Sequence, residues 1–194
     1  GGPEVNETEP EKQLEELPYV DVAMISEGEL NFNALLHDYL NGDIKRLYKA
    51  NRVDDLDIPS PYMSGLFDKI IADNPDIKWS TTLETNRGCP FKCSFCDWGS
   101  LTYSKIKKFP VPKVYQEIEW LGKNKIEYIF VADANFGVFP DRDSEIVDVM
   151  LEVQDKYDYP KVFNANWHKN SRQNVIPIVK KLTSNGMNRG MTLS

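Results

Sequence analysis

The residues with the clearest capacity for chemistry are three cysteines with the spacing Cys-x-x-x-Cys-x-x-Cys, namely Cys89, Cys93 and Cys96. Three thiolates on one short loop can bind three irons of a cubane four-iron four-sulfur cluster, whereas a cluster that only carries electrons usually has four cysteine ligands. The fourth iron then has no protein ligand. Because a metal with an open coordination position can bind a reactant there, as in catalytic zinc sites, the spacing predicts a reaction centre.

Two other uses of these thiols compete with a cluster. The same thiolates could bind zinc together with His37 or His168, since Cys3His sets occur in structural zinc sites. Zinc motifs usually combine a Cys-x-x-Cys pair with a distant second pair, and the chain has no further cysteine. The odd number of cysteines and the lack of a secretion signal argue against disulfides and for thiols that stay reduced inside a cell.

The composition narrows the class of protein. The chain has 194 residues, of which 41% are hydrophobic and 27% charged, as in a soluble globular protein. Its formal net charge of −7 disfavours a sequence-independent nucleic-acid binder, which needs lysine and arginine to neutralise phosphates. No apolar stretch is long enough to span a membrane, so we expect no membrane association and a cytoplasmic location. Because the chain starts without methionine and stops inside an expected strand, we expect a fragment of a longer protein.

Apolar runs and helical stripes alternate along the chain, which predicts an α/β fold with a parallel sheet. Near the N-terminus we expect a strand over 19–25 and a helix that ends at Gly42. The proline-rich and charged stretch 42–79 is typical of a linker, with a short helix over 64–73. From Ser80 onward we expect strands over 80–86, 126–132, 161–167 and 187–193. The helices between them have apolar faces formed by Val114, Ile118 and Leu121, by Ile146, Val149, Met150 and Val153, and by Val175, Ile176, Val179 and Leu182.

The stretch from Thr85 to Gly99 resembles the radical S-adenosylmethionine superfamily, both in its cysteines and in the aromatic residue Phe95 before the third one. The resemblance implies that Phe95 lies beside the adenine of S-adenosylmethionine. It also implies that the amino and carboxylate groups of this molecule chelate the open iron. One electron from the cluster then cleaves the sulfonium to a 5′-deoxyadenosyl radical, which abstracts a hydrogen from the substrate. In such an enzyme the protein supplies ligation, orientation and exclusion of side reactions.

A loop Gly-Gly-Pro and a strand that ends in Ser-Glu-Gly-Glu at 26–29 resemble the end of the cobalamin-binding domain that precedes the barrel in one branch of this superfamily. The implied fold is a partial radical S-adenosylmethionine (β/α) barrel over 80–194, preceded by a linker over 42–79 and by the C-terminal remnant of a Rossmann-like cobalamin-binding domain over 1–41. Ser26 stands where the family commonly has glycine, which bears on the local backbone. The cobalamin-ligating histidine would lie upstream of Gly1.

Ligands of parallel α/β folds bind at the carboxyl ends of the strands, so residues there are site candidates. Asp133 and Asn135 follow the second expected strand, and by resemblance they belong to the segment that contacts the amino group of S-adenosylmethionine. Asp133 is the better candidate of the two, because a carboxylate can accept charge-assisted hydrogen bonds from an ammonium group, although both residues are also common in turns. On the third strand Asn164, Asn166 and His168 share a face, which suits either a polar cavity or solvent. Arg189 is a weaker candidate for contacting a carboxylate.

These patterns together predict a radical S-adenosylmethionine enzyme with a small-molecule substrate. If cobalamin takes part, methyl transfer to an unactivated carbon is the expected reaction, with a rearrangement or cyclisation as the alternative. The resemblance also implies an external electron donor of the flavodoxin or ferredoxin type. The competing hypothesis is a non-enzymatic module that binds zinc or an electron-transfer cluster.

Overall fold

A computed structural model describes residues 5–91, 93, 105–169 and 172–188, with the backbone alone at Arg172. The fold is mixed α/β with parallel sheets, which confirms the predicted α/β class at that level. The helices are α1 (Pro10–Glu16), α2 (Gly28–Asn41), α3 (Asp68–Ala72), α4 (Val111–Lys123), α5 (Pro140–Tyr157) and α6 (Arg172–Ser184). The strands are β1 (Ala23–Ile25), β2 (Leu47–Lys49), β3 (Ser80–Leu83), β4 (Asn86–Arg87), β5 (Lys107–Lys108), β6 (Tyr128–Phe136) and β7 (Val162–Trp167).

The chain divides into two compact units. The first contains the described residues up to Leu56 and those between Pro90 and Lys105, and the second contains the described residues from Asp57 to Cys89 and from Ile106 onward. The predicted linker over 42–79 contains β2 and α3, and it includes residues of both units. The predicted domain boundaries therefore remain a prediction.

In the first unit, β1 and β2 pair in parallel, with Ala23 opposite Leu47. The β-branched and apolar residues Ala23 and Ile25 are buried, as expected for a strand that faces a core. The helix that follows ends at Gly42, which has the left-handed φ of 75° that makes glycine a common helix stop. Ser26, at the position where the family commonly has glycine, also has a left-handed φ, of 71°.

The second unit contains a parallel sheet in which β6 lies between β3 and β7. The predicted stripe on α4 is confirmed, since Val114, Ile118 and Leu121 are fully buried. On α6 the prediction was wrong at Ile176, which is 36% exposed, whereas Ile178 is buried. Proline at 177 lies inside this helix between the two residues.

The two faces of this sheet differ in exposure. On β7, Phe163 and Ala165 are buried, while the residues that alternate with them, Asn164 and Asn166, are exposed. The same alternation continues on β6, where Ile129 and Val131 are buried and Phe130 is half-buried. The sequence left open whether the asparagine face of β7 lines a polar cavity or faces solvent. In the described part of the chain, this face is in contact with solvent.

The segment after β7 and α6 returns to the sheet at the point where a fourth strand was predicted. The Phe163 amide donates to the Met187 carbonyl at 2.8 Å, and the Asn188 side chain donates to the Phe163 carbonyl at 3.1 Å. Most of the predicted strand over 187–193, with Arg189, lies outside the described residues. The order of the described elements nevertheless matches the strand-helix alternation expected from Ser80 onward.

Candidate functional site

The segments that come before and after the cysteine loop pair with each other, and together they are called the base of the loop. Instead of one strand over 80–86, β3 ends at Leu83 and β4 pairs antiparallel with β5, with Asn86 opposite Lys108 and Arg87 opposite Lys107. The Phe109 amide donates to the Thr85 carbonyl at 3.0 Å. The chain therefore enters and leaves the cysteine loop through one pair of hydrogen-bonded segments, directly after the carboxyl end of β3.

Asp133 anchors this base from β6. Its Oδ1 accepts hydrogen bonds from the backbone amides of Thr85 at 2.7 Å and Asn86 at 3.0 Å. Its Oδ2 accepts from the Thr85 hydroxyl at 2.5 Å and from the Asn86 side-chain amide at 2.6 Å. The carboxyl group is fully buried. Burial raises the pKa of Asp133 to about 7, although hydrogen bonds from Thr85 and Asn86 favour the charged form and oppose that rise.

Arg142 also binds the base of the cysteine loop. One of its terminal nitrogens, Nη2, donates to the carbonyls of Thr85 at 2.8 Å and Phe109 at 3.2 Å, and so holds both ends of the loop. The other, Nη1, donates to the Thr85 hydroxyl and to Asp143, each at 3.2 Å. The rigid fork of guanidinium donors suits such multiple contacts.

Asp143 connects this network to the segment after β6. Its Oδ2 accepts from the backbone amides of Gly137 at 2.8 Å and Phe139 at 3.2 Å, at the start of α5. Burial raises the pKa of this carboxyl, which its hydrogen bonds and Arg142 oppose. Gly137 has a φ of 93°, and a β-carbon there would lie 3.0 Å from Val175, so the turn needs glycine.

Asn135 connects the segment predicted to bind S-adenosylmethionine with Cys89, one of the predicted metal ligands. Its side-chain Nδ2 donates to the Cys89 sulfur at 3.2 Å. The Asn135 side chain is 1% exposed, and its Oδ1 has no hydrogen-bond partner within the described residues. An unpaired buried carbonyl is costly unless something else binds it, so this oxygen is available to a donor from a ligand.

The described residues cover only some of the other predicted site residues. Cys93 is described and partly exposed, whereas Phe95 and Cys96 lie outside the described residues. Over 5–91, 93, 105–169 and 172–188, no three His, Cys, Asp or Glu side chains are grouped as metal ligands. Of the histidines considered for zinc, His37 lies exposed on α2 and His168 follows β7, where burial lowers its pKa. The full ligand set remains a prediction.

The sequence analysis missed Thr85, Asn86 and Arg142 because each acts through partners that are distant along the chain. One signal was present for Arg142. It lies in the first turn of α5, where the helix macrodipole disfavours a cation. An arginine at such a position indicates a specific acceptor nearby.

No protein-family model matches the chain. Along its whole length it is 37% identical to the cobalamin-dependent radical SAM methyltransferase TokK of Streptomyces tokunonensis, of which it covers 31%. It is 36% identical, again along its whole length, to the 2-(S-pantetheinyl)-carbapenam-3-carboxylate methyltransferase of Streptantibioticus cattleyicolor, of which it also covers 31%. The first of these relatives has the name of the cobalamin-dependent branch that the cysteine loop and the N-terminal segment resemble. The chain spans about a third of the length of the two relatives.

Among solved structures, the chain is similar to the cobalamin-dependent S-adenosylmethionine radical enzyme OxsB with aqua-cobalamin and S-adenosylmethionine bound. The TM-score is 0.48 and the identity 19%, over 79% of this chain and 24% of OxsB. No helix in the described part of the chain is long and apolar enough to cross a membrane.

Proposed function

We propose that this chain is part of a cobalamin-dependent radical S-adenosylmethionine methyltransferase that acts on a small molecule. Two observations together carry the proposal. The chain has the three-cysteine spacing, and along its own whole length it is similar to two methyltransferases, one of them named as cobalamin-dependent and radical SAM. The zinc or electron-transfer module is not favoured, because neither relative's name refers to such a module.

The proposed cluster ligands are Cys89, Cys93 and Cys96. The donor set fits a four-iron four-sulfur cluster, since three thiolates suit this group and leave one iron open. The polar surroundings also fit, because the Asn135 amide donates to the Cys89 sulfur at 3.2 Å, and such a contact stabilises negative charge on a thiolate. When bound, the cluster and S-adenosylmethionine supply a 5′-deoxyadenosyl radical through one-electron reduction.

Asn135 is the better placed of the two predicted contacts for the amino group of S-adenosylmethionine. Its Oδ1 has no partner within the described residues, whereas each oxygen of Asp133 already accepts two hydrogen bonds from Thr85 and Asn86. We therefore assign acceptance of the ammonium group to Asn135. Asp133 has a positioning role in this scheme, because it fixes the segment from which the cysteine loop starts. Phe95 is the proposed contact to the adenine.

The parallel sheet of β3, β6 and β7 is the proposed first part of a (β/α) barrel, and residues 1–41 are the proposed C-terminal remnant of a cobalamin-binding domain. The sheet supports this, because its strands alternate with helices and its asparagine face is open to solvent. In a barrel this face would line the interior. Asn164 and Asn166 could then contact a polar substrate next to the loop.

Cobalamin would supply the methyl group, and the rest of the protein would supply its ligand. Transfer to an unactivated carbon suits this branch, because the radical removes a hydrogen that no protein base could remove. The reducing electron would come from a donor of the flavodoxin or ferredoxin type. The similarity to TokK, whose name is that of a cobalamin-dependent radical SAM methyltransferase, supports these assignments. The acceptor molecule is left open.

Cysteine replacement tests the proposal. After anaerobic reconstitution we expect about four irons and four sulfides per chain, and each of Cys89→Ala, Cys93→Ala and Cys96→Ala should lose the cluster and the reductive cleavage of S-adenosylmethionine. Ser94→Ala, a change within the loop that keeps all three thiols, is the matched control and should retain both. One zinc per chain, or a full cluster and deoxyadenosine production in a cysteine variant, would refute the proposal.

A further inference from the structure

Asn135 donates a hydrogen bond to the sulfur of Cys89, a proposed ligand of the cluster. The Nδ2 of Asn135 lies 3.2 Å from the Cys89 sulfur, which is a short distance for a hydrogen bond to sulfur. The opposite orientation of the amide would place its carbonyl oxygen against the sulfur, and two acceptors of hydrogen bonds would then face each other. The N–H group therefore points at the ligand.

The setting of Asn135 makes this hydrogen bond effective. The side chain is 1% exposed, and the next residue, Phe136, is fully buried against the rings of Phe163 and Trp167, with centroids 5.5 and 5.8 Å away. A buried amide dipole acts in a lower dielectric than one in water, and it is not reoriented freely. The donor is thus fixed on a rigid strand rather than on the cysteine loop itself.

We infer that Asn135 raises the reduction potential of the cluster through its hydrogen bond to the Cys89 sulfur. This inference rests on the proposed function, because it requires a cluster on Cys89. One-electron reduction adds negative charge that is shared with the ligating sulfurs. A donor aimed at one of them stabilises the reduced form more than the oxidised form, and hydrogen bonds to sulfur are among the factors that set cluster potentials. No bond is broken in this step, and the electron comes from the external reductant.

The test is a midpoint potential measured without S-adenosylmethionine. The reconstituted protein is titrated anaerobically with dithionite in the presence of mediators, and the reduced cluster is followed by electron paramagnetic resonance. Asn135→Leu removes the donor at similar volume, and Asn135→Asp replaces it by an ionised acceptor of the same shape. Both variants should have lower midpoint potentials than wild type while retaining about four irons per chain.

Asn185 provides the matched control. It is an exposed asparagine whose side-chain amide donates to the Lys181 carbonyl at the end of α6, at 2.8 Å. Asn185→Leu and Asn185→Asp repeat the same chemical changes at a side chain whose amide donates to a helix carbonyl and not to a sulfur. Their midpoint potentials should equal that of wild type, which separates the local hydrogen bond from a general change in charge.

The outcomes are distinguishable from failure of the proposed function. Asn135→Leu with a full cluster and a wild-type potential would overturn the inference, since Asn135 would then act on S-adenosylmethionine alone. Loss of the cluster from both Asn135 variants, with unchanged circular dichroism, would also overturn it by giving Asn135 a structural role. Absence of a four-iron cluster from wild type itself would refute the proposed function and the inference together.

Discussion

At the scale of single residues, the two buried polar side chains in the C-terminal half of β6 differ in how many of their hydrogen bonds are formed. Asp133 accepts four hydrogen bonds from two residues, so both of its oxygens are engaged. Asn135 donates one hydrogen bond to Cys89, and its Oδ1 has no partner in the described part of the chain. Residues two positions apart thus differ in their surroundings: Asp133 holds the backbone at Thr85 and Asn86, and Asn135 contacts Cys89 and has an acceptor without a partner in the described part of the chain.

Asp133 should make stability depend on pH. Its ordinary pKa is 3.8, and burial raises the pKa of the folded protein's Asp133 to about 7. Between these values the folded chain retains a proton that the unfolded chain has lost. Its contribution to the free energy of unfolding therefore decreases as pH rises from about 4 to about 7, and becomes constant above that. The loss is at most a few kcal/mol, because one pKa unit corresponds to about 1.4 kcal/mol.

Urea unfolding of wild type and Asp133→Asn from pH 4.5 to pH 8 measures this contribution. The variant lacks the titrating group, so the wild type should lose stability relative to it as the pH rises. Parallel profiles for the two proteins would show that Asp133 is ionised throughout this range in the fold.

Ser26 has a backbone conformation that costs free energy. Its φ of 71° is left-handed, which costs a residue with a β-carbon roughly 1–2 kcal/mol, and its buried hydroxyl has no partner within the described residues. Ser26→Gly should raise the free energy of unfolding by about 1 kcal/mol, because the relief of strain exceeds the added entropy of the unfolded chain. Chemical denaturation measures the change. Ser26→Ala, which removes only the hydroxyl, should gain less, and an equal gain would assign the effect to the hydroxyl.

At the scale of elements, α4 and α5 pack at a point where only glycine fits. A β-carbon on Gly122 would lie 2.3 Å from Val153 Cγ1 and 3.1 Å from the Tyr159 carbonyl oxygen. The carbonyl belongs to the backbone and cannot turn away. The close approach joins the C-terminal part of α4 to the C-terminal part of α5.

Gly122→Ala should therefore destabilise the fold by about 1–3 kcal/mol, the usual cost of overpacking, despite the higher helix propensity of alanine. Gly28→Ala is the matched control, because nothing lies within 4 Å of a β-carbon at that position. Thermal and urea unfolding of both variants provide the comparison. A Gly122→Ala protein as stable as wild type would mean that the helices separate without cost.

Hydrophobic periodicity was sufficient to predict α2, α4, α5 and α6 and the strands β3, β6 and β7, but not β2, which lies within the predicted linker. The buried positions Val114, Ile118 and Leu121 follow from a 3.6-residue repeat, and Phe163 and Ala165 follow from alternation. The base of the cysteine loop could not be predicted in this way. The β4–β5 pairing involves two residues on each side, and Arg142 joins it from 57 positions beyond Thr85, so no local pattern encodes it.

At the site the sequence supplied the residue types but not their partners. The cysteine spacing and the carboxyl-end rule selected Cys89, Asp133 and Asn135 in advance. Which of the latter two has an open acceptor depends on whether Thr85 and Asn86 reach them. That is decided by the three-dimensional path of the chain between β3 and β4.

At the scale of the whole molecule, the second unit has a sheet with one buried face and one open face, and the chain covers 31% of the length of its methyltransferase relatives. A barrel completed by further strands would enclose the open face and convert its asparagines from solvated to lining residues. We therefore propose that the cofactors bind at the cysteine loop and that the substrate contacts this face.

The central claim is that three thiolates leave one iron open to S-adenosylmethionine. Electron paramagnetic resonance of the reduced protein tests this claim most directly. The reconstituted protein, reduced with dithionite, should give the signal of a reduced four-iron four-sulfur cluster whose g-values change when S-adenosylmethionine is added. An iron-sulfur signal that is identical with and without S-adenosylmethionine would contradict the claim, as would a protein that contains zinc and no iron.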